Sequence, residues 1–111
     1  MPSEARGYLL SPLAERDLED IWRYTYRTWS REQADRYHAA ILDAIEGLAS
    51  GERIGRDARD IREGYWKYAV RRHVLFYRGG SGHLTVIRIL HQQMDIPSQL
   101  GASDLSTPSD N

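Results

Sequence analysis

The chain has 111 residues, 41% hydrophobic and 28% charged, the proportions of one soluble globular domain. It holds no cysteine, which excludes disulfides, thiolate metal sites and cysteine nucleophiles. A formal net charge of −1 argues against a dedicated nucleic-acid binder, whose domain is usually strongly basic.

The net value conceals an asymmetry. Residues 1–50 carry six Arg against nine acids, whereas residues 51–95 carry nine Lys/Arg against five acids and three of the histidines. One face of the fold is therefore expected to be basic although the whole is not. The opening Met1-Pro2-Ser3-Glu4-Ala5-Arg6 lacks an apolar signal region, and no stretch approaches the roughly 18 apolar residues of a membrane span. The expected location is the cytoplasm, with no membrane association.

In chain order, Tyr8-Leu9-Leu10 after Gly7 reads as a short strand. Ser11 as N-cap and Pro12 at the first helical position open a helix, because a proline there loses no hydrogen bond. Ala14, Leu18, Ile21, Trp22, Thr25 and Trp29 give it one apolar face. Glu15, Asp17, Glu19 and Asp20 crowd its first half and read as a solvated face rather than a catalytic dyad. Ser30 and Gln33 form a capping box, so a second helix begins almost where the first ends and the two make an antiparallel hairpin. Its buried stripe is Ala34, Tyr37, His38, Ile41, Ile45 and Leu48, and Gly51 stops it.

Residues 51–64 show neither helical nor strand period and read as an ordered loop anchored in the core by Ile54 and Ile61. The period then changes to two, through Trp66, Tyr68 and Val70, a turn at Arg71-Arg72, and Val74 and Phe76. Gly79-Gly80-Ser81-Gly82 makes a second turn, leaving His83 as a solvated turn residue. The last strand, Leu84 to His91, is apolar on both faces except at Arg88, which predicts a strand covered on both sides and a specific partner for that arginine. The expected fold is α+β: an N-terminal strand, a helical hairpin and a three-stranded antiparallel meander, with the helices on one face of an antiparallel sheet. Residues 1–100 form the single domain, and residues 101–111 are too poor in apolar side chains to pack, so a disordered tail is expected.

The residues that carry chemistry are few. The four histidines lack metal-ligand spacing, so no metal and no cofactor is expected. Lys67, Arg71, Arg72, His73, Arg78, Arg88 and His91 all fall on the meander or its turns. Such cations could hold phosphates while a histidine moves a proton, the requirement for RNA cleavage through the 2′-hydroxyl. Against this, charges on edge strands also serve to block aggregation. Trp22, Tyr24, Tyr26 and Trp29 load the first helix with more aromatics than one face can bury, which points to a patch that a partner covers.

Four stretches in register resemble the ParE-type toxins of the RelE/ParE superfamily. They are Tyr8-Leu9-Leu10-Ser11-Pro12 with Leu18-Glu19-Asp20-Ile21-Trp22, Ile54-Gly55-Arg56 with Ile61-Arg62-Glu63-Gly64-Tyr65, His73-Val74-Leu75-Phe76-Tyr77-Arg78, and Val86-Ile87-Arg88-Ile89-Leu90-His91-Gln92-Gln93-Met94-Asp95. The resemblance covers about residues 7–100 and implies a toxin of a type II toxin–antitoxin pair that binds DNA gyrase, blocks replication and performs no chemistry. Its partners would be a ParD-like antitoxin, in a hetero-oligomer, and gyrase, with no direct nucleic-acid binding. RelE relatives share the fold but cleave mRNA on the ribosome; in that alternative Lys67, Arg72, Arg88 and His91 would be the working residues.

His91-Gln92-Gln93-Met94-Asp95 contains neither a tyrosine nor a His-Tyr pair, which favours the ParE branch. Glu63 and Arg53 stand where many relatives have proline, and Trp66 where a basic residue is common. Under this resemblance the toxic surface is expected at Lys67, Arg71, Arg72, Arg78, His91 and Gln93. The antitoxin-binding surface is expected at Trp22, Tyr26, Trp29, Tyr37, Trp66 and Tyr68.

Overall fold

A computed structural model describes residues 7–80 and 82–93. The expected tail at 101–111, and the Met94-Asp95 end of the last sequence stretch, lie outside the described residues. The elements are β1 (Gly7–Leu10), α1 (Pro12–Thr28), α2 (Arg31–Ser50), β2 (Arg56–Asp57), β3 (Trp66–Val70), β4 (His73–Gly79) and β5 (His83–His91).

Both helices start as their caps dictate. Ser11 is extended and its Oγ accepts from the Ala14 N–H at 3.0 Å, while Ser30 does the same for Gln33 at 3.0 Å. Gly51 ends α2 with φ +89°, in the left-handed region that glycine enters without steric cost. Trp29 does not extend the buried stripe of α1 as its spacing predicts. It is the C-cap, non-helical and 69% exposed, because Ser30 must leave helical geometry to cap α2.

The five strands form one mixed sheet in the order β1-β5-β4-β3-β2. β1 runs parallel to β5 and the other pairings are antiparallel, so the expected wholly antiparallel sheet is corrected at one edge. Two helices and three strands separate β1 from β5 in the chain, and a connection of that length makes a parallel neighbour possible. At the other edge, two residues of the expected loop, Arg56 and Asp57, pair with Lys67 and Trp66.

The sheet is packed on both faces. Against the helices lie Leu75, Tyr77, Leu84, Val86 and Ile89, with Ile41, Ile45 and Leu18 opposite. The outer face is covered by the segment after β2, where Ala58 and Tyr65 bury Phe76 and Leu90, with Ile61, Val74 and Ile87 at the margin. Ile61 is thus the loop anchor it was expected to be, but Ile54 is 82% exposed. The neighbouring Gly55 provides the contact instead. A Cβ there would run into the Tyr77 hydroxyl and lie 2.8 Å from the Lys67 carbonyl oxygen, so the backbone itself packs and Ile54 is turned out. His83, expected in a solvated turn, is partly buried at the start of β5, opposite Gly7 of β1.

A bulge in β5 explains why the strand reads as apolar on both faces. Phe76 lies opposite Arg88 and Tyr77 opposite Val86, which leaves Ile87 extra in the ladder. Alternation is broken there, so Ile87 packs on the outer cluster while Ile89 joins the helix-side core. The irregular backbone is tied to Ser11. Its N–H donates to the Val86 carbonyl at 3.0 Å and its Oγ to the Ile87 carbonyl at 2.7 Å.

Candidate functional site

Arg88, the one charge inside the last strand, has the specific partner its position demanded. Its Nε and Nη2 meet the two Asp17 oxygens at 2.7 and 2.9 Å, and the Ile89 N–H donates to the same carboxylate at 2.9 Å. Both side chains are 13% exposed. The pairing is bidentate and holds the guanidinium charge more firmly than usual, chiefly through the hydrogen bond to Asp17. Asp17 is therefore not part of a solvated acidic face. It lies three residues after Ala14 and four before Ile21, on the buried side of α1, a spacing that together with the unpaired Arg88 would have identified it.

At one end of the hairpin a groove of about 490 Å³ opens between α1, α2 and the β3–β4 turn. Ile21, Tyr24, Trp29 and Tyr37 supply its apolar walls, Arg71 and Arg72 its basic rim, and His73 and His91 the sheet side. The elements bring these together by register: β4 begins and β5 ends at a directly opposed pair, His73 and His91, whose rings meet edge-on at 5.1 Å. The Tyr37 hydroxyl lies 2.6 Å from His73 Nδ1 and accepts from the Arg72 N–H at 3.2 Å. The Arg71 guanidinium stands 5.5 Å from the centroid of the Tyr37 ring.

Burial pushes the His73 imidazole down to about 4, with the nearby His91 adding to the effect and Asp17 opposing it. Burial likewise raises the Tyr37 phenol, so its hydroxyl keeps its proton in the contact with Nδ1. The native state therefore prefers a neutral His73, while the unfolded chain takes up a proton near the ordinary value of 6.5. This contribution is complete above pH 6.5 and is lost as pH falls towards 4. For a ring that remains partly solvated it amounts to about 1–2 kcal/mol. Urea unfolding at pH 7 and pH 4.5 should show that loss, and His73→Phe should remove this part of the pH dependence.

The residues expected to act together are only partly assembled. Arg71, Arg72 and His91 of the expected toxic surface share the groove with Trp29 and Tyr37 of the expected antitoxin surface. Gln93 is adjacent, its N–H donating to His91 Nδ1 at 3.1 Å. Lys67 is not there. It precedes Tyr68, which packs with Val70 towards the helices, so by alternation it falls on the outer face, where Phe76 is its ladder partner. Arg78 is exposed near the far end of β4, opposite Thr85.

The remaining expected antitoxin residues are dispersed. Trp22 and Tyr26 stack in parallel at 5.2 Å, and the Trp22 indole donates to Asp35 of α2 at 2.9 Å. Trp22 borders a different, acidic hollow with Glu15, Glu19, Asp35 and His38. Trp66 is 40% exposed on β3 near the sheet edge. Tyr68 packs partly on the main core, and its hydroxyl accepts from Arg53 at 3.0 Å. Among the described residues no group of three or more His, Asp or Glu is placed to hold a metal ion. No helix among them is long and apolar enough to cross a membrane.

Comparison with known proteins agrees with this architecture. The family model described as the ParE toxin of the type II toxin-antitoxin system, parDE, matches residues 8–96. The chain is 46% identical over 94 residues to Toxin ParE1 of Mycobacterium tuberculosis, covering 84% of this chain and 96% of that one. It is 39% identical over 96 residues to Toxin ParE1 of Caulobacter vibrioides, covering 86% and 99%. Among solved structures, the chromosomal ParDE system from P. aeruginosa superposes with a TM-score of 0.68 at 16% identity, covering 80% of this chain and 98% of that one. The toxin-antitoxin complex RelBE2 from Mycobacterium tuberculosis superposes at 0.59 and 21% identity, covering 81% and 94%. At those identities the structures speak for the fold, and the sequence matches speak for the family. The chain belongs to the ParE toxin family of type II toxin–antitoxin systems.

Proposed function

We propose that this toxin acts in the cytoplasm by binding DNA gyrase and blocking replication, without catalysis, and that a ParD-like antitoxin neutralises it. Plasmid stabilisation and growth control are the roles such a pair would serve. One observation carries the non-catalytic reading: the cations that RNA cleavage would need are separated or already engaged. Arg88 is bonded to Asp17, and Lys67 points to the opposite face of the sheet. A guanidinium held by a bidentate carboxylate has little left to offer a phosphate. His73, which among the described residues is the histidine hydrogen-bonded to a hydroxyl, is held neutral by its burial.

The alternative, a ribosome-dependent mRNA endonuclease, draws on Arg72 and His91, which do share the groove with Tyr37 and His73. Induction of the toxin in cells lacking the antitoxin separates the two. The expected result is growth arrest with broken chromosomal DNA and intact mRNA. Cleavage of mRNA that precedes the arrest, and that Arg72→Ala or His91→Ala abolishes, overturns the proposal in favour of the endonuclease.

A further inference from the structure

We infer that the groove walled by Tyr24, Trp29 and Tyr37 and rimmed by Arg71 and Arg72 is where the antitoxin docks an apolar segment bearing a carboxylate. The inference rests on the antitoxin partner proposed above, and adds the place and the chemistry of its recognition.

The apolar walls are uncovered. Tyr24 is 64% exposed and Trp29 is 69% exposed, at the mouth of a groove whose floor reaches Ile21. Adjacent exposed aromatics beside a concavity are what a partner's aliphatic side chain would cover.

Charge selects the rest of the occupant. Among the described residues neither Arg71 nor Arg72 has a carboxylate partner, so both guanidinium charges face the groove mouth uncompensated. Asp20, the acid that lines the groove, lies 3.9 Å from Arg23. Asp17, near His73, is taken up by Arg88. His73 and His91 complete the sheet side, and the first of them is neutral at pH 7. A carboxylate entering beside apolar side chains would therefore meet two cations that have no carboxylate partner among the described residues, with Asp20 the one acid of the groove lining.

The turn is built at a cost to place that charge. Arg71 has φ +56°, the only non-glycine residue described with positive φ. Glycine or asparagine takes this conformation in a hairpin turn without the clash an arginine suffers. Strain that a simpler residue would relieve is a mark of a functional position when the strained side chain faces a concavity. Here its guanidinium is laid over the Tyr37 ring at the groove.

The test titrates the purified toxin with the full-length antitoxin encoded beside it, by calorimetry at low and high salt. Arg72→Glu is expected to weaken binding ~10–100-fold and to flatten its salt dependence. Arg71→Gly is expected to weaken it ~10-fold while Tm stays level or rises, since the strain is relieved. Arg78→Glu, on a different part of the sheet, should bind within twofold of the unaltered chain. Groove variants that bind as tightly as the unaltered chain overturn the inference and leave the antitoxin partner standing. An unaltered chain that the co-encoded protein does not bind overturns both.

Discussion

Replacing Asp17 with alanine is expected to destabilise the protein by about 3–5 kcal/mol, because it leaves the Arg88 guanidinium largely buried without its counter-charge. The carboxylate also accepts from the Ile89 N–H, so the substitution removes three hydrogen bonds at once. Small domains are stable by only about 5–15 kcal/mol, so much of the total would be lost. Tm should fall by roughly 15–30 °C for a domain of this size, read by calorimetry or circular dichroism. Arg88→Ala should cost less than Asp17→Ala, since the carboxylate it frees retains the Ile89 N–H. Replacing both residues with aliphatic side chains of similar volume should recover most of the loss, because a buried pair costs much of its attraction in desolvation. A double variant as unstable as Asp17→Ala would mean that the pair stabilises the fold beyond its own compensation.

The second large effect is on the outer face. Phe76→Ala should cost about 3–5 kcal/mol, the usual range for deleting a fully buried ring. Phe76 is 0% exposed and lies beneath Ala58 and Tyr65, so its removal also undermines the segment that covers the sheet. Hydrogen exchange should report this locally. The Ala58 and Tyr65 amides, which bond to the Tyr65 and Arg62 carbonyls at 2.9 and 3.1 Å, should lose protection before those of α2. Uniform loss of protection in all elements would show that the outer cover does not open separately.

Much of the fold was legible in the chain because the signals were local. Ser11, Ser30 and Gly51 act within one helical turn, and each does what its side chain predicts. The alternation from Trp66 to Phe76 likewise gave two strands of the expected extent. What escaped depends on contacts distant in sequence. The parallel pairing of β1 leaves no mark in four residues, and β2 is two residues held by the edge of β3. Ile54 was expected inside on hydropathy alone, but the close packing of Gly55 against Tyr77 turns it out.

The candidate site divides in the same way. That Arg88 needs a partner follows from its apolar strand, but the bulge beside it in β5 is not visible in the period. Taking every acid of α1 as solvated hid Asp17, although its helical phase matches the core. Proximity in sequence suggests one surface for the basic cluster. The pleat instead sends Lys67 to the outer face, and register brings His73 and His91 together at the groove. Trp22 and Trp29, seven residues apart on or beside α1, serve different hollows.

The central claim is that the toxin binds its target and does not cut RNA. The most direct measurement is supercoiling of relaxed plasmid by purified gyrase with increasing amounts of the purified toxin. Dose-dependent inhibition, relieved by the antitoxin and retained when Arg88 and Asp17 are jointly replaced by aliphatic residues in a folded variant, is the predicted result. Full gyrase activity at high molar excess of folded toxin would contradict it.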